Sequence, residues 1–284
     1  MNKEKEQKAI EYLKLFEPND EPYWLCYSGG KDSDTIRILA DLAGVKHTIE
    51  HNLTTVDAPE TVNYVKSIPN VHINYPEKSM WKLIEYNKCP PTRLVRYCCK
   101  ELKENTRVGK GRLKITGVRT NESVNRKKLG GLVKIIGKPK TTIKKAESMG
   151  VDYEINHKNG MVLNMDNDVS RRFVEQCYRT RNTMINPILD WTDDDVWEFL
   201  HYYGCESNPL YQNGFKRIGC IGCPMAGRKI REREFELYPK YKLNYIKAFD
   251  RMCKARIESG LKTYPNWTNG EIVFKWWLEE KLYD

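Results

Sequence analysis

The run Tyr23-Trp24-Leu25-Cys26-Tyr27, followed at once by Ser28-Gly29-Gly30-Lys31-Asp32-Ser33 and a helical pattern, restricts this 284-residue chain more than any other feature. Five apolar residues closed by two glycines suit a buried strand. Over 34–43 apolar residues recur at helical spacing, and Gly44 supplies a C-cap. A strand that turns through glycines into a helix aims backbone N–H groups and the positive end of a helix dipole at one spot, where an anion is favoured. Gly29 and Gly30 permit positive φ and close backbone approach. Ser28 and Ser33 add hydroxyl donors, Lys31 a cation for phosphate oxygens, and Asp32 a carboxylate to orient a metal ion such as Mg2+ or a donor. The hexapeptide matches neither G-x-x-x-x-G-K-[ST] nor G-x-G-x-x-G, so neither standard fingerprint describes it.

The same alternation continues. Residues 47–51, 71–75 and 113–118 read as strands, and 58–68, 80–87 and 94–105 as helices, the first of these with Pro59 in its opening turn. Strands alternating with helices predict an α/β fold, a parallel twisted sheet with helices on both faces. Residues 130–165 are rich in Lys and Gly with short β-like runs and read as an insertion. Residues 173–179 read as helical and 184–187 as extended; Thr192 is an N-cap for a helix over 193–203 that opens on Asp193, Asp194 and Asp195. Residues 205–228 are irregular, and 231–282 are largely helical with a break near Tyr264-Pro265-Asn266. The expected organisation is therefore a nucleotide-binding α/β domain over 1–228 and a mostly helical C-terminal extension over 229–284.

Two further candidate clusters emerge. Residues 1–20 form a charged amphipathic helix rather than a signal, and no apolar run reaches a membrane span, so a cytoplasmic protein is expected. There, nine cysteines indicate metal, redox or packing roles rather than disulfides. Cys98-Cys99 and Cys220-Ile-Gly-Cys223 make four thiols in two pairs, a set able to hold zinc or an iron–sulfur cluster. Adjacent cysteines are awkward for zinc, whose ligands are usually spaced by two to four residues. Cys26 and Cys253 read as packing, Cys177 and Cys205 lack a partner at ligand spacing, and Cys89 reads as a loop cysteine or a reactive thiol. Arg119 follows the fourth strand at the carboxyl end, where open α/β sheets bind ligands, and its planar fork suits phosphate or sulfate. Arg93 and Arg96 either line that pocket or pair on the surface. Asp57 is a candidate for ribose or metal contact, or a helix cap. The three acids 193–195 read as helix N-terminal acids before a metal cluster. A net charge of +10 fits a polyanionic partner or plain lysine-rich composition. Lys127, Lys128, Lys134, Lys138, Lys140, Lys144 and Lys145 read as a solvated charged insertion or a nucleic-acid grip, and Trp276-Trp277 as helix packing.

Ser28 to Ser33 resembles the PP-loop of the ATP pyrophosphatase superfamily, of the adenine nucleotide alpha hydrolase-like class. More narrowly, the chain resembles the phosphoadenosine phosphosulfate (PAPS) reductase family. The likeness is carried in order by Thr54-Thr-Val-Asp-Ala-Pro-Glu60, Tyr97-Cys-Cys-Lys-Glu-Leu-Lys103, Thr116-Gly-Val-Arg-Thr-Asn-Glu-Ser123, Asn186 through Trp197, and Asn208 through Pro224. The resemblance implies a [4Fe–4S] cluster on Cys98, Cys99, Cys220 and Cys223, with zinc the lesser alternative; the 130–165 insertion accounts for the long gap between the pairs. It implies an adenine nucleotide, ATP or PAPS, at Ser28, Gly29, Gly30, Lys31, Asp32, Ser33, Asp57 and Arg119, with Lys31, Asp32 and Arg119 carrying the chemistry. Two reactions follow. In one, ATP adenylates an acceptor and sulfur replaces the activated oxygen; relatives of this type act on tRNA or DNA, and a sulfur donor protein is expected. In the other, a cysteine attacks PAPS or APS and sulfite is released. The reductases carry that cysteine in Glu-Cys-Gly-Leu-His, which none of the nine cysteines here matches, and this favours ATP. A non-catalytic nucleotide or redox sensor is the third reading.

Overall fold

The computed structural model describes residues 1–104, 109–122, 131–137, 139–156, 160–261 and 267–279. The strands are β1 (Tyr23–Cys26), β2 (His47–Asn52), β3 (Val71–Asn74), β4 (Lys114–Ile115), β5 (Val133–Ile136), β6 (Glu154–Asn156), β7 (Gly160–Leu163) and β8 (Asn182–Ile185). They form one sheet in the order β3-β2-β1-β4-β8-β5-β7-β6. β1 pairs in parallel with β2 and β4, and β4 with β8. The pairs β8–β5, β5–β7 and β7–β6 are antiparallel. The sheet is thus mixed rather than wholly parallel. The 130–165 insertion is the cause: its strands extend the sheet past β8, and Met161, Val162 and Leu163 bury fully on that edge.

The helices are α1 (Lys3–Leu15), α2 (Lys31–Ala43), α3 (Pro59–Ser67), α4 (Met80–Asn87), α5 (Tyr97–Cys99), α6 (Pro139–Met149), α7 (Asp168–Cys177), α8 (Asp193–Tyr202), α9 (Arg228–Leu237), α10 (Pro239–Glu258) and α11 (Gly270–Glu279). Local chemistry sets their ends. In α2 the buried stripe is Ile36, Leu39, Ala40 and Ala43, and Gly44 ends the helix at φ 67° with its N–H on Asp41 O. Thr192 and Asp195 form a capping box that starts α8. The expected helix over 94–105 is instead the single α turn of α5 running into a π-helical turn, Lys100–Glu104. The strand expected over 113–118 pairs only at Lys114 and Ile115.

The chain leaves β1 toward β2 and β3, then returns to place β4 and β8 on the other side of β1. The order therefore reverses between β1 and β4, the kind of place where open α/β sheets carry their binding crevice, at the carboxyl ends of the strands.

The residues fall into two compact units. One comprises Met1–His51, Asn63–Ile73 and Arg107–Ile218; the other comprises Asn52–Val62, Asn74–Thr106 and Gly219–Asp284. The first is built on a core including Leu25, Ile36, Ile115, Phe173, Ile185 and Phe199. In the second, Phe235, Tyr245, Phe249, Phe274 and Trp277 are buried, with Trp277 4.8 Å from Tyr245 between ring centroids. Residues 229–284, expected as a separate extension, belong to this second unit together with 52–62 and 74–106. The break expected at Tyr264-Pro265-Asn266, together with Ser123, Lys127, Lys128 and Lys138, lies outside the described residues. No described helix is long and apolar enough to cross a membrane.

Candidate functional site

In the first unit, β1 delivers the loop to the switch point. Gly29 takes φ 74°, while Gly30 is extended (φ −108°) and caps α2; a Cβ on Gly30 would sit 3.2 Å from the Tyr211 hydroxyl. The Ser33 hydroxyl donates to Gly30 O at 2.7 Å and accepts from Gly30 N at 3.1 Å, while Ser28 Oγ lies 3.3 Å from Ser33 Oγ. Two residues from 180 positions away fasten the turn. Asn208 Nδ2 donates to Gly29 O at 2.9 Å, and Lys31 N donates to the Tyr211 hydroxyl at 2.9 Å.

The charged groups around the loop form one network. Arg119 is 2% exposed; its Nε donates to Asp32 Oδ1 at 2.7 Å and its Nη2 to Asp193 Oδ1 at 2.7 Å. Lys31 Nζ lies 3.2 Å from Asp32 and 3.0 Å from Asp193. Burial pulls the Asp193 carboxyl up, but hydrogen bonds from Lys31 and Arg119 prevail and hold it below the usual carboxylate range. Two cations and two carboxylates at a helix N-terminus are a set that can exchange internal partners for phosphate oxygens and a magnesium ion. Gly117 lets the β4 end approach: a Cβ there would lie 2.9 Å from Asp32 O. The acids 193–195 divide their work, since Asp195 caps α8 and meets Lys5 Nζ at 2.6 Å, whereas Asp193 turns to Lys31 and Arg119.

Behind the loop, Asp34 is fully buried, accepts from the Tyr27 hydroxyl at 2.5 Å and leaves Oδ2 without a hydrogen bond. Burial pushes its carboxyl up to about 6.

The four thiols all lie in the second unit, and so does Asp57. Cys98, Cys220 and Cys223 share a neighbourhood with Cys99, and all are free thiols. The hydrogen bond from Cys98, helped by Arg96, favours Cys99 as the thiolate. Cys220 forms an antiparallel bridge with Asp57, its thiol donates to Thr54 Oγ1 at 3.4 Å, and Asp57 accepts from Thr54 N at 2.7 Å. Charge interaction with Cys220, with Asp57 adding to it, raises the neighbouring Lys103 ammonium, while burial raises the Cys220 thiol itself. Glu234 accepts the Gly222 N–H at 2.7 Å and the Tyr245 hydroxyl donates to Ile221 O at 3.0 Å, which fixes the Cys-Ile-Gly-Cys turn. Arg93 Nε donates to Pro224 O at 3.2 Å. Among the described residues no three His, Cys, Asp or Glu side chains surround one point as a single metal ion needs. Trp277 packs in the core of this unit and donates from its indole to Pro91 O.

Sequence reasoning named Lys31, Asp32 and Arg119 but gave no role to Asn208, Tyr211 or the outward turn of Asp193. The signal was present only as the motifs 186–197 and 208–224.

An α/β protein of nucleotide-binding fold, with its glycine loop at a β1/β4 switch point, is what this geometry defines. The chain belongs to the phosphoadenosine phosphosulfate reductase domain family, whose model matches residues 22–226. It is 29% identical over 223 residues to an uncharacterized protein of Methanocaldococcus jannaschii, covering 75% of this chain and 44% of that one. To an adenosine 5'-phosphosulfate reductase of Oceanobacillus iheyensis it is 36% identical over 64 residues, 22% of this chain and 27% of the other. The chain thus spans less than half the length of these relatives. A phosphoadenylyl-sulfate (PAPS) reductase from Candida auris, solved as a phosphate complex, aligns over 75% of this chain and 88% of its own at 15% identity and a TM-score of 0.46.

Proposed function

We propose that this protein is an ATP-dependent sulfur-transfer enzyme acting on a nucleic-acid acceptor. The observation that carries the reading is the Lys31–Asp32–Arg119–Asp193 network at the start of α2. Loop N–H groups, Lys31 and Arg119 bind the triphosphate, and Asp32 and Asp193 meet the Mg2+ that accompanies it. An acceptor oxygen attacks the α-phosphorus, the bond to the β-phosphate breaks, and pyrophosphate leaves. Lys31 and Arg119 stabilise the charge that builds on the departing phosphates. A sulfur nucleophile from a donor protein or sulfide then attacks the activated carbon, and AMP leaves with the oxygen.

Cys98, Cys99, Cys220 and Cys223 would hold a [4Fe–4S] cluster. The donor set fits: two thiol pairs, Cys99 favoured as thiolate, and Arg96 and Lys103 nearby to offset negative charge. A cubane takes each thiolate on a different iron, so it does not ask the four sulfurs to meet at one point as zinc does. When bound, the cluster supplies an iron-held site for the sulfur to be transferred.

Reduction of PAPS or APS is the second reading, supported by family membership. It needs an attacking thiolate outside the cluster set. Burial raises the thiols of Cys26 (to about 11), Cys89, Cys177, Cys205 and Cys253, which disfavours each of them as that nucleophile. Pyrophosphate from ATP in the presence of tRNA or single-stranded DNA, measured beside sulfite from PAPS, separates the two. Sulfite alone defeats the first reading, and neither product leaves the sensor. Four irons per chain in an anaerobic brown preparation support the cluster; a colourless zinc-bearing one refutes it.

A further inference from the structure

We propose that the outer face of α4 and α10 binds an unpaired stretch of nucleic acid, with phosphates along α10 and a base on Tyr86. This rests on the nucleic-acid acceptor of the reading above and locates its contact surface.

On α10, Lys240, Lys247, Arg251 and Lys254 are all exposed, and their spacing of seven, four and three residues puts them on one stripe. At 1.5 Å per residue the stripe runs about 21 Å, the reach of several phosphates. Asp250 lies off it, accepting from Gly270 N, and Glu258 marks its end. α4 lies alongside in the same direction. Trp81 meets Tyr245 edge-on at 5.0 Å, Glu85 pairs with Arg251 at 3.3 Å, and Arg256 donates to Lys88 O at 2.5 Å. From α4 and the turn before it, Lys78 and Lys82 add two exposed cations; Glu85 is the acid of α4 and already has Arg251.

An ordinary solvated face intersperses both signs and hides its aromatics. Here Glu77 and Glu258 are the exposed acids beside six cations, so positive charge prevails, and an aromatic ring stays open. Tyr86 is 70% exposed with Lys78 Nζ 5.0 Å from its ring centre. An open aromatic ring flanked by cations is the arrangement that stacks a base while the chain of phosphates is neutralised beside it. A duplex keeps its bases stacked on one another and gains nothing from Tyr86, so the face selects single strand.

The test uses the full chain and fluorescein-labelled 20-nucleotide RNA and DNA of mixed sequence, as single strands and as duplex, read by anisotropy across a salt series. Two variants are compared with wild type: Lys247→Glu/Lys254→Glu, and Tyr86→Ala, each checked by thermal melting. Single strands should bind more tightly than duplex. The double reversal should weaken binding at least tenfold and flatten the log–log salt slope by about 1.4, from roughly 0.7 per phosphate on single strands. Tyr86→Ala should weaken binding about fivefold or more at an unchanged slope. Binding of a fluorescent ATP analogue in the absence of acceptor should stay as in wild type. Equal affinity and slope in wild type and the double reversal would overturn the proposal, as would duplex bound as tightly as single strand with Tyr86→Ala silent. Pyrophosphate assays read the catalytic proposal separately: normal strand binding without ATP turnover defeats that reading and leaves this surface standing.

Discussion

Arg119 is almost completely buried yet makes charge-assisted bonds to two carboxylates, Asp32 and Asp193, in two directions. Only a guanidinium spans both with fixed geometry. Arg119→Lys keeps the charge and loses the fork. Steady-state kinetics should show pyrophosphate release from ATP reduced 10- to 100-fold, the cost of about 1.5–3 kcal/mol for one charge-assisted bond. Unchanged kinetics would remove Arg119 from the phosphate site. Asp34 is a stability residue of the opposite kind. Burial pushes its carboxyl up to about 6 in the folded protein, above the ordinary aspartate value of about 3.9, so the proton favours the fold. That contribution is complete below about pH 4 and is lost as pH rises through 6. Asp34→Asn keeps an acceptor for Tyr27 and removes the charge. Denaturant titrations should find it more stable than wild type by about 2 kcal/mol at pH 8, with the difference closing toward pH 4. A pH-independent difference would contradict the assignment.

At the scale of elements, the Cys-Ile-Gly-Cys turn depends on Gly222, which has φ 71° and would place a Cβ 2.5 Å from Phe235 and 3.1 Å from Trp277. Gly222→Ala should cost about 1–3 kcal/mol through overpacking and strain. The same variant should lower iron per chain, measured by melting and metal analysis; wild-type values in both would show that the turn does not shape the thiol set. Elements written in local pattern were legible beforehand. β1, the loop and α2 follow from one apolar run, two glycines and a 3.6-residue period, and α8 follows from Thr192. Elements set by distant partners were not. β5 to β7 read as a charged insertion because only pairing with β8 makes them part of the sheet. The π turn at 100–104 has a helical pattern and no local mark of its wider pitch. Asn208 and Tyr211 hold the loop from about 180 residues away, and no short-range signal links them to it.

At the scale of the molecule, each unit carries one part of the proposed chemistry. The first holds the proposed anion site at a topological switch point. The second gathers four thiols from segments more than a hundred residues apart in sequence. A contiguous 1–228 domain missed this, because contacts rather than chain order join 52–62 and 74–106 to the C-terminal helices. Substituting Cys98 and Cys223 by Ser should abolish iron binding and the visible absorbance of an anaerobic preparation; iron retained in that variant would assign the metal elsewhere. The central claim concerns what the loop does with its nucleotide, and pyrophosphate release is its most direct measurement. With ATP, Mg2+, sulfide and tRNA or single-stranded DNA, pyrophosphate should appear in step with AMP, and Lys31→Ala should abolish both. Sulfite formed from PAPS or APS with a thiol reductant, and no pyrophosphate from ATP under any acceptor, would contradict it.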